Sequence, residues 1–438
     1  MLAAVLLTLA PAPALAAPPV CDAPVPSTVR PGVVIADPDC DLSGTPFTAL
    51  PGAVVHTGIQ DGAAYRIEVP DDWNGRLVLY AHGYRGNGPT VYVDSPSLRS
   101  HYVARGFAWA ASSYSVNGYQ VDPGVRDSYA LIGLFAEVTG RRPAQVLMTG
   151  ASMGGHVTAV AIERYPRAFV GAMPTCGVLG DIELFDYFLD AGLTAAALAG
   201  VEVTYPGDAA SWRAAVERIV PALTGTPAGQ TWADVLERRT GGDRPGFPAA
   251  FAYWSAARSL PPNSDLPFLL GLYPGLSGAP VNGNQHTVYR STDRLLPTLA
   301  EWRLNLRVLR VPPTGDRDAV PRVAGRPPVP VLSLHDLGDL FVPFSMEQVY
   351  ALRALRHGRA NLFVSRAVRG LGHCDFTPAE LQRGFDDLVT WIDTGRRPAG
   401  DAILNRRAVA DPAFGCRFTV GERAAFGAPC PGLGGVVA

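Results

Sequence analysis

Segments typical of β-strands and segments typical of α-helices alternate along most of this 438-residue chain. In residues 52–177 the strand-like stretches AVVHTGI, AYRIEVP and RLVLYAHGY are followed by FAWAASSYS, AQVLMTGAS and AFVGAMPTCG, with helical stretches between the later ones. The pattern resumes in residues 329–396 with PVPVLSLHD, a helix from Phe344 to His357, NLFVSRAV and a final helix. Such alternation predicts a mostly parallel sheet flanked by helices. We therefore expect both regions to build one α/β core.

Residues 178–328 interrupt the alternation. They contain amphipathic stretches such as DIELFDYFLDAGL, WRAAVERIVPAL and WADVLERR, separated by glycine and proline turns. We predict a large helical cap inserted into the core; an independent helical domain is the alternative, because composition does not separate the two. Residues 17–51 form a proline-rich leader, and residues 397–438 form an extension that we expect a disulfide to pin to the surface.

The charged residues exclude several functional classes. The formal net charge is -2, so the chain lacks the basic balance with which nucleic-acid-binding proteins neutralise phosphates. All 37 basic residues are arginine, because the sequence contains no lysine. This excludes Schiff-base and pyridoxal lysine chemistry, a P-loop lysine and a Ser-Lys dyad.

The first residues have the pattern of an export signal. An apolar run in residues 1–16 ends in Ala14-Leu15-Ala16, which fits an A-x-A cleavage site, and the run is shorter than the ~20 residues of a membrane span. Six cysteines, with no C-x-x-C pair among them, favour disulfides over metal ligation and agree with an oxidising compartment. We expect a secreted protein without a stable membrane anchor.

A G-x-S-x-G motif follows the strand AQVLM. It runs from Gly150 through Ser152 to Gly154 and precedes the helical stretch HVTAVAIERY. A nucleophile on a tight strand-to-helix turn requires this context, because side chains at the two glycine positions would collide with neighbouring backbone. We predict that Ser152 is a catalytic nucleophile; a merely structural glycine turn is the alternative.

These residues resemble the α/β-hydrolase superfamily, and the resemblance covers roughly residues 52–177 and 329–396. It implies the chain order serine, acid, histidine for the catalytic residues. The sequence DLFVP that begins at Asp339 is similar to the acid loop of that superfamily. Asp339 is therefore the predicted acid, and Asp336, which lies closer to the strand end, remains the alternative.

The resemblance also implies a base and an oxyanion hole. His373 lies in the glycine-rich loop GLGHC after the last core strand, where the superfamily keeps its general base. His82 and the two residues after it resemble the H-G-x element, whose last backbone N–H forms the oxyanion hole with that of the residue after the nucleophile. Tyr84 and Met153 are thus the predicted donors, and His82 is predicted to be structural.

Metal binding has little support in the sequence. His335, Asp336 and Asp339 lie close together, but no further ligand cluster accompanies them. Hydrolysis by a serine, a histidine and an acid needs neither metal nor cofactor, so we expect none.

An exported hydrolase with an apolar, aromatic cap suits esters with acyl, aryl or polymeric groups. We therefore predict hydrolysis of carboxylic esters, on small-molecule or polymeric substrates. His373-Cys374 is similar to the tannase and feruloyl esterase family, in which cysteine follows the catalytic histidine, but Ala151 stands where that family has a second cysteine. Ordinary packing is the other use for the aromatic residues of the cap, which include Phe185, Tyr187, Phe188, Phe251, Tyr253 and Trp254.

Two other functions are compatible with the same fold. A capped serine peptidase would need acidic residues in the cap to bind a substrate amine, and Asp181, Glu183 and Asp186 are the candidates unless they serve a helix dipole. A binding protein without catalysis would normally have lost a member of the triad, and all three members are present. The sequence makes no prediction of the oligomeric state.

The inferred sheet brings two cysteines to one edge. Cys176 ends the strand after the nucleophile helix and Cys374 follows His373, so we predict a disulfide between them; two buried free thiols are the alternative. The other four cysteines would then pair locally, Cys21 with Cys40 and Cys416 with Cys430.

Overall fold

An eight-stranded sheet lies at the centre of the structure, a computed structural model that describes residues 21–261, 263–272, 281–421 and 423–431. The strands in chain order are β1 (Val25–Pro26), β2 (Val34–Ile35), β3 (Ala53–Gln60), β4 (Ala63–Pro70), β5 (Arg76–Ala81), β6 (Thr90–Val91), β7 (Ala108–Ser112), β8 (Gln145–Ala151), β9 (Gly171–Thr175), β10 (Val331–Asp336) and β11 (Phe363–Val368). The large sheet has the order β11-β10-β9-β8-β5-β7-β4-β3, and the three remaining strands form a small second sheet.

Most strand pairs in the large sheet are parallel. Only β3 with β4 and β4 with β7 run antiparallel, whereas the six strands from β7 to β11 are parallel to their neighbours. β5 lies between β7 and β8, so the strands here are not in chain order and are joined by crossover connections. The carboxyl ends of the parallel strands therefore meet at one edge of the sheet, where ligands bind in open α/β sheets. This topology confirms the predicted α/β-hydrolase fold.

Helices cover both faces of the sheet. Those in chain order are α1 (Arg99–Ala104), α2 (Val121–Thr139), α3 (Met153–Arg164), α4 (Glu183–Ala199), α5 (Ala209–Leu223), α6 (Pro227–Arg239), α7 (Phe247–Ala256), α8 (Phe268–Gly271), α9 (Leu299–Arg307), α10 (Ser345–Arg356), α11 (Pro378–Thr394) and α12 (Arg406–Val409). Helices α1 and α11 pack on the face of Val78, and α2, α3 and α10 pack on the face of Leu77 and Leu79. Successive side chains of a strand point to opposite faces, so the apolar run Leu77-Val78-Leu79 in β5 is buried on both sides of the sheet.

Helices α4 to α9 lie between β9 and β10, within the interruption of the alternating pattern. They contact the core through buried hydrogen bonds as well as apolar surface. The Trp254 indole N–H donates to the carbonyl oxygens of Gly338 at 2.8 Å and Leu371 at 2.9 Å, and the Tyr187 hydroxyl donates to that of Leu340 at 2.9 Å. One buried cluster includes side chains of the sheet and of these helices. The insertion is therefore packed as a cap over the carboxyl edge of the sheet.

The tail after α11 wraps around one buried arginine. The Arg369 guanidinium donates to the backbone carbonyl oxygens of Pro412, Phe414 and Ala428. These bonds satisfy its donors without a carboxylate and attach the tail to the end of β11.

Three disulfides are present, and no cysteine is free in the described part of the chain. They join Cys21 to Cys40, Cys176 to Cys374, and Cys416 to Cys430. The predicted signal peptide, residues 1–16, lies outside the described residues. Within the described ranges, every helix is too short or too polar to cross a membrane.

Candidate active site

Ser152 forms the turn between β8 and α3. Its backbone has φ 60° and ψ -122°, a conformation that residues other than glycine rarely adopt. A Cβ on Gly150 would lie 2.2 Å from the Gly154 carbonyl oxygen, and a Cβ on Gly154 would lie 2.0 Å from the Ala81 carbonyl oxygen. Both glycines are sterically required, and the turn that they allow holds Ser152 at the carboxyl edge of the sheet.

Ser152, His373 and Asp339 come together at this edge from three different loops. The His373 Nε2 lies 2.7 Å from the Ser152 Oγ, and the His373 Nδ1 lies 2.6 Å from the Asp339 Oδ2. The imidazole side chain is 18% exposed, whereas the Asp339 side chain is fully buried. A neutral imidazole that donates its Nδ1 proton to Asp339 leaves Nε2 free to accept the hydroxyl proton of Ser152. The arrangement has the geometry needed for general-base activation of a serine.

Asp339 and Asp336 have different partners. The Asp339 Oδ1 accepts from the backbone N–H groups of Phe341 at 2.8 Å and Val342 at 3.0 Å, which leaves Oδ2 for His373. Asp336 accepts instead from the backbone N–H of Asp375 at 2.9 Å. Burial, together with the nearby carboxylates of Asp339 and Asp375, raises the pKa of Asp336 well above its ordinary value. Asp336 therefore anchors the loop that contains His373 through the Asp375 backbone, and Asp339 presents its carboxyl group to the imidazole.

The His373 loop is held from two sides. Cys374 is joined to Cys176, which directly follows β9, and their Cα atoms are 5.3 Å apart. Both cysteines have positive φ angles, 58° and 45°, which cost energy in a residue with a side chain. From the cap, Trp254 donates to the carbonyl oxygen of Leu371. The sheet and the cap thus constrain the same short stretch of backbone.

The two segments that contain the predicted oxyanion donors lie beside Ser152. Met153 follows it at the N-terminus of α3, where backbone N–H groups have no partner within the helix. Gly83, directly before Tyr84, is so close that a Cβ there would lie 3.1 Å from the Ser152 Cβ. An oxyanion hole formed by the N–H groups of Tyr84 and Met153 requires this placement.

His82 braces the loop that contains Tyr84. Its Nδ1 lies 2.7 Å from the Gly83 carbonyl oxygen and its Nε2 lies 3.1 Å from that of Ser113, while its ring stacks on Tyr114 at 3.8 Å. Burial lowers the pKa of His82 to about 3, so the imidazole is neutral at physiological pH and donates its single ring N–H to one of these two carbonyl oxygens. These are the contacts of a structural residue.

The three residues considered as metal ligands have separate partners. The His335 Nε2 donates to the Val342 carbonyl oxygen at 2.7 Å. Asp336 accepts from the Asp375 backbone, and Asp339 accepts from His373. In the part of the chain that the structure describes, these three side chains do not form a common ligand set.

Two of the three acidic residues considered for amine recognition are already paired with arginines. Asp181 is fully buried and accepts from Arg353 at 2.6 Å, and Asp186 accepts from Arg317 at 2.9 Å. Glu183, like Asp186, lies in the first turn of α4. A substrate amine would have to displace an arginine to reach either aspartate.

One phenylalanine ring, that of Phe341, contacts the candidate base, and two others, Phe188 and Phe268, pack on it; we call the three the aromatic wall. The Phe341 ring centroid is 5.0 Å from that of His373. Phe188 stacks on Phe341 at 5.9 Å, and Phe268 meets it edge-on at 5.2 Å. Sequence reasoning named Phe188 among the aromatic residues of the cap but missed Phe341, Phe268 and their contacts, because the three come from α4, α8 and the acid loop and no spacing relates them. The one available signal was an aromatic residue two positions after the predicted acid.

Comparisons with known proteins add a distant relative and several structural likenesses. No family model matches the chain. An o-phthalyl amidase from Xanthobacter agilis is 24% identical over an alignment of 402 positions, which covers 78% of this chain and 87% of that protein. The solved structure of feruloyl esterase B from Aspergillus oryzae is 16% identical, with a TM-score of 0.41 over 87% of this chain and 86% of that one. An esterase from Aspergillus oryzae is 11% identical, with a TM-score of 0.41 over 79% of this chain and 80% of that one.

Proposed function

We propose that this chain, which has the α/β-hydrolase fold, is a serine hydrolase that cleaves carboxylic esters. The observation that carries the proposal is the continuous path from Asp339 through His373 to Ser152, with contacts of 2.6 and 2.7 Å. In this proposal Ser152 is the nucleophile, His373 the base and Asp339 the orienting acid. The backbone N–H groups of Tyr84 and Met153 bind the oxyanion.

The proposed reaction is two successive acyl transfers. His373 takes the hydroxyl proton of Ser152 as its Oγ bonds to the substrate carbonyl carbon, and the negative charge on the carbonyl oxygen is stabilised by the two N–H groups. The bond to the leaving group then breaks, and His373 delivers the proton to it. Water attacks the acyl-serine, its proton passes through His373 to Ser152, and the carboxylic acid is released.

Amide hydrolysis is a second candidate, favoured by the relative that is named an amidase. The o-phthalyl group in that name is an aromatic acyl group, and a serine triad transfers acyl groups from esters and amides alike. Esters remain first, because an alcohol or a phenol leaves more readily than an amine. The ion pairs of Asp181 and Asp186 with arginines also argue against an aminopeptidase.

We further propose that the chain works outside the cytoplasm. Three disulfides support this proposal, because they persist in oxidising compartments. A secreted enzyme would meet polymeric as well as small-molecule esters, and neither use calls for a cofactor.

The test compares an ester and an amide that share an acyl group and a chromophore, p-nitrophenyl acetate and p-nitroacetanilide. We expect the ester to be cleaved faster, and Ser152→Ala to lower kcat by about 10⁴-fold or more. Ser128→Ala is the matched control, because the Ser128 hydroxyl is buried without a hydrogen-bond partner among the described residues. Turnover near the wild-type level in Ser152→Ala would refute the proposal. Faster cleavage of the anilide would make amide hydrolysis the main activity.

A further inference from the structure

Phe341 is the partly exposed member of the aromatic wall, whereas Phe188 and Phe268 are buried. Its backbone N–H donates to the Oδ1 of Asp339, whose other oxygen contacts His373. One carboxylate therefore fixes both the imidazole and the backbone of Phe341. The position of the Phe341 ring relative to the reacting atoms is set by the same contacts that set the triad.

The Phe341 ring is also braced from behind. Phe188 in α4 stacks on it and Phe268 in α8 meets it edge-on, and Trp254 in α7 packs on Phe268 at 4.5 Å. Trp254 is in turn bonded to the core through the Gly338 carbonyl oxygen. Three cap helices thus hold one phenylalanine against His373, and only its remaining surface is available to a ligand.

We infer that Phe341 determines specificity by packing against an aromatic ring attached directly to the scissile carbonyl carbon, so that the preferred substrates are esters of aromatic acids. This inference rests on the proposed function, since it takes Ser152 as the nucleophile. Phe341 lies 5.0 Å from the His373 ring, whose Nε2 is 2.7 Å from the attacking Oγ. Aromatic pairs are favourable at ring separations of about 4.5–7 Å. In this inference, a ring one bond from the carbonyl carbon packs on Phe341, whereas an acetyl group is too small to make that contact.

The test uses p-nitrophenyl benzoate and p-nitrophenyl acetate, which differ only in the acyl group. We expect Phe341→Leu to lower the benzoate-to-acetate ratio of kcat/KM by about tenfold, the scale on which pockets discriminate by shape and stacking. Phe251→Leu is the matched control: Phe251 is also partly exposed and lies in the cap, but its ring contacts are Trp232 and Phe247. An unchanged ratio in Phe341→Leu, or an equal fall in both variants, overturns the inference.

A second pair of substrates tests whether Phe341 contacts the acyl group or the leaving group of the ester. Phenyl acetate and ethyl acetate share an acyl group and differ in the leaving group. Their kcat/KM ratio should change less than twofold in Phe341→Leu. A fall in this ratio with no change in the benzoate-to-acetate ratio would place the ring on the leaving-group side and overturn the assignment to the acyl group.

Boronic acids make the test independent of the folding of any variant. Boron accepts the Oγ of an activated serine, and the group on boron then occupies the acyl position. Wild-type protein should bind benzeneboronic acid more tightly than butylboronic acid, by about tenfold. Equal affinities would overturn the inference and leave the serine hydrolase intact, whereas failure of both boronic acids and of every ester would count against the proposed function itself.

Discussion

The carboxyl edge of the sheet and the cap that covers it are held by different kinds of contact. At the edge, Asp339 accepts three directed hydrogen bonds and one disulfide fixes Cys374 beside His373. In the cap, ring packing dominates around Phe341, and ion pairs such as Arg239 with Asp190 lie within the helical layer. Directed bonds fix distances closely, whereas ring packing tolerates changes of shape. From this comparison we expect the edge to determine whether a bond is cleaved and the cap to determine which substrate is bound.

The largest effect that would test this comparison concerns Asp336, the last residue of β10, and Asp339 in the loop that follows it. Asp339→Asn should lower kcat by about 10⁴-fold, because an amide cannot hold the His373 tautomer that receives the serine proton. Asp336→Asn should change kcat by less than about tenfold, because an amide oxygen still accepts from Asp375 and burial raises the pKa of Asp336, which disfavours the charge that the substitution removes. Steady-state kinetics on one ester measures both variants. The reverse order would move the role of the acid to Asp336.

The same contrast explains what the sequence could predict. The edge was predictable because a tight turn at Ser152 demands glycines on either side, and because loops after successive parallel strands meet at one edge. The role of Asp336 was not predictable, since it depends on burial and on a hydrogen bond to Asp375, 39 positions away. The aromatic wall was not predictable either. Phe341 is held by residues of α4 and α8, and no local sequence pattern predicts how those helices pack. Local steric rules therefore predict the turn that holds the proposed nucleophile, whereas the contacts expected to set substrate specificity depend on long-range packing.

The second largest effect concerns the two disulfides that close loops of very different length. Cys176→Ala with Cys374→Ala opens a loop of 198 residues that contains the cap, and Cys416→Ala with Cys430→Ala opens one of 14 residues in the tail. The chain-entropy model gives losses in the free energy of unfolding of about 5 and about 3 kcal/mol. Only the first pair should also lower kcat, because only that bridge adjoins His373. Urea unfolding and ester turnover, measured on the same samples, check both statements; equal losses of kcat would mean that the bridge does not position the His373 loop.

The smallest effect concerns His156, which connects the core to the segment that leads out of the cap. The imidazole is fully buried in α3, where it accepts from the Tyr119 hydroxyl at 2.9 Å and donates to the Pro321 carbonyl oxygen at 2.6 Å. Burial lowers the pKa of His156 from 6.5 to about 4. Protonation would also turn the nitrogen that accepts from Tyr119 into a donor, so that contact would be lost.

The sign of the resulting pH dependence follows from the protons that each state binds. Between pH 6.5 and about 4 the unfolded chain protonates His156 and the folded chain does not, so the free energy of unfolding falls as the pH falls, by about 1.4 kcal/mol per pH unit for this group. His156→Gln keeps a donor and an acceptor in place, and it should reduce that slope by the same amount. His357→Gln, in which an exposed side chain is replaced, is the matched control. Urea unfolding at pH 6.5, 5.5 and 4.5 gives the slope of the free energy of unfolding against pH for the wild type and the two variants. An unchanged slope in His156→Gln would mean that His156 is not the source of this pH dependence.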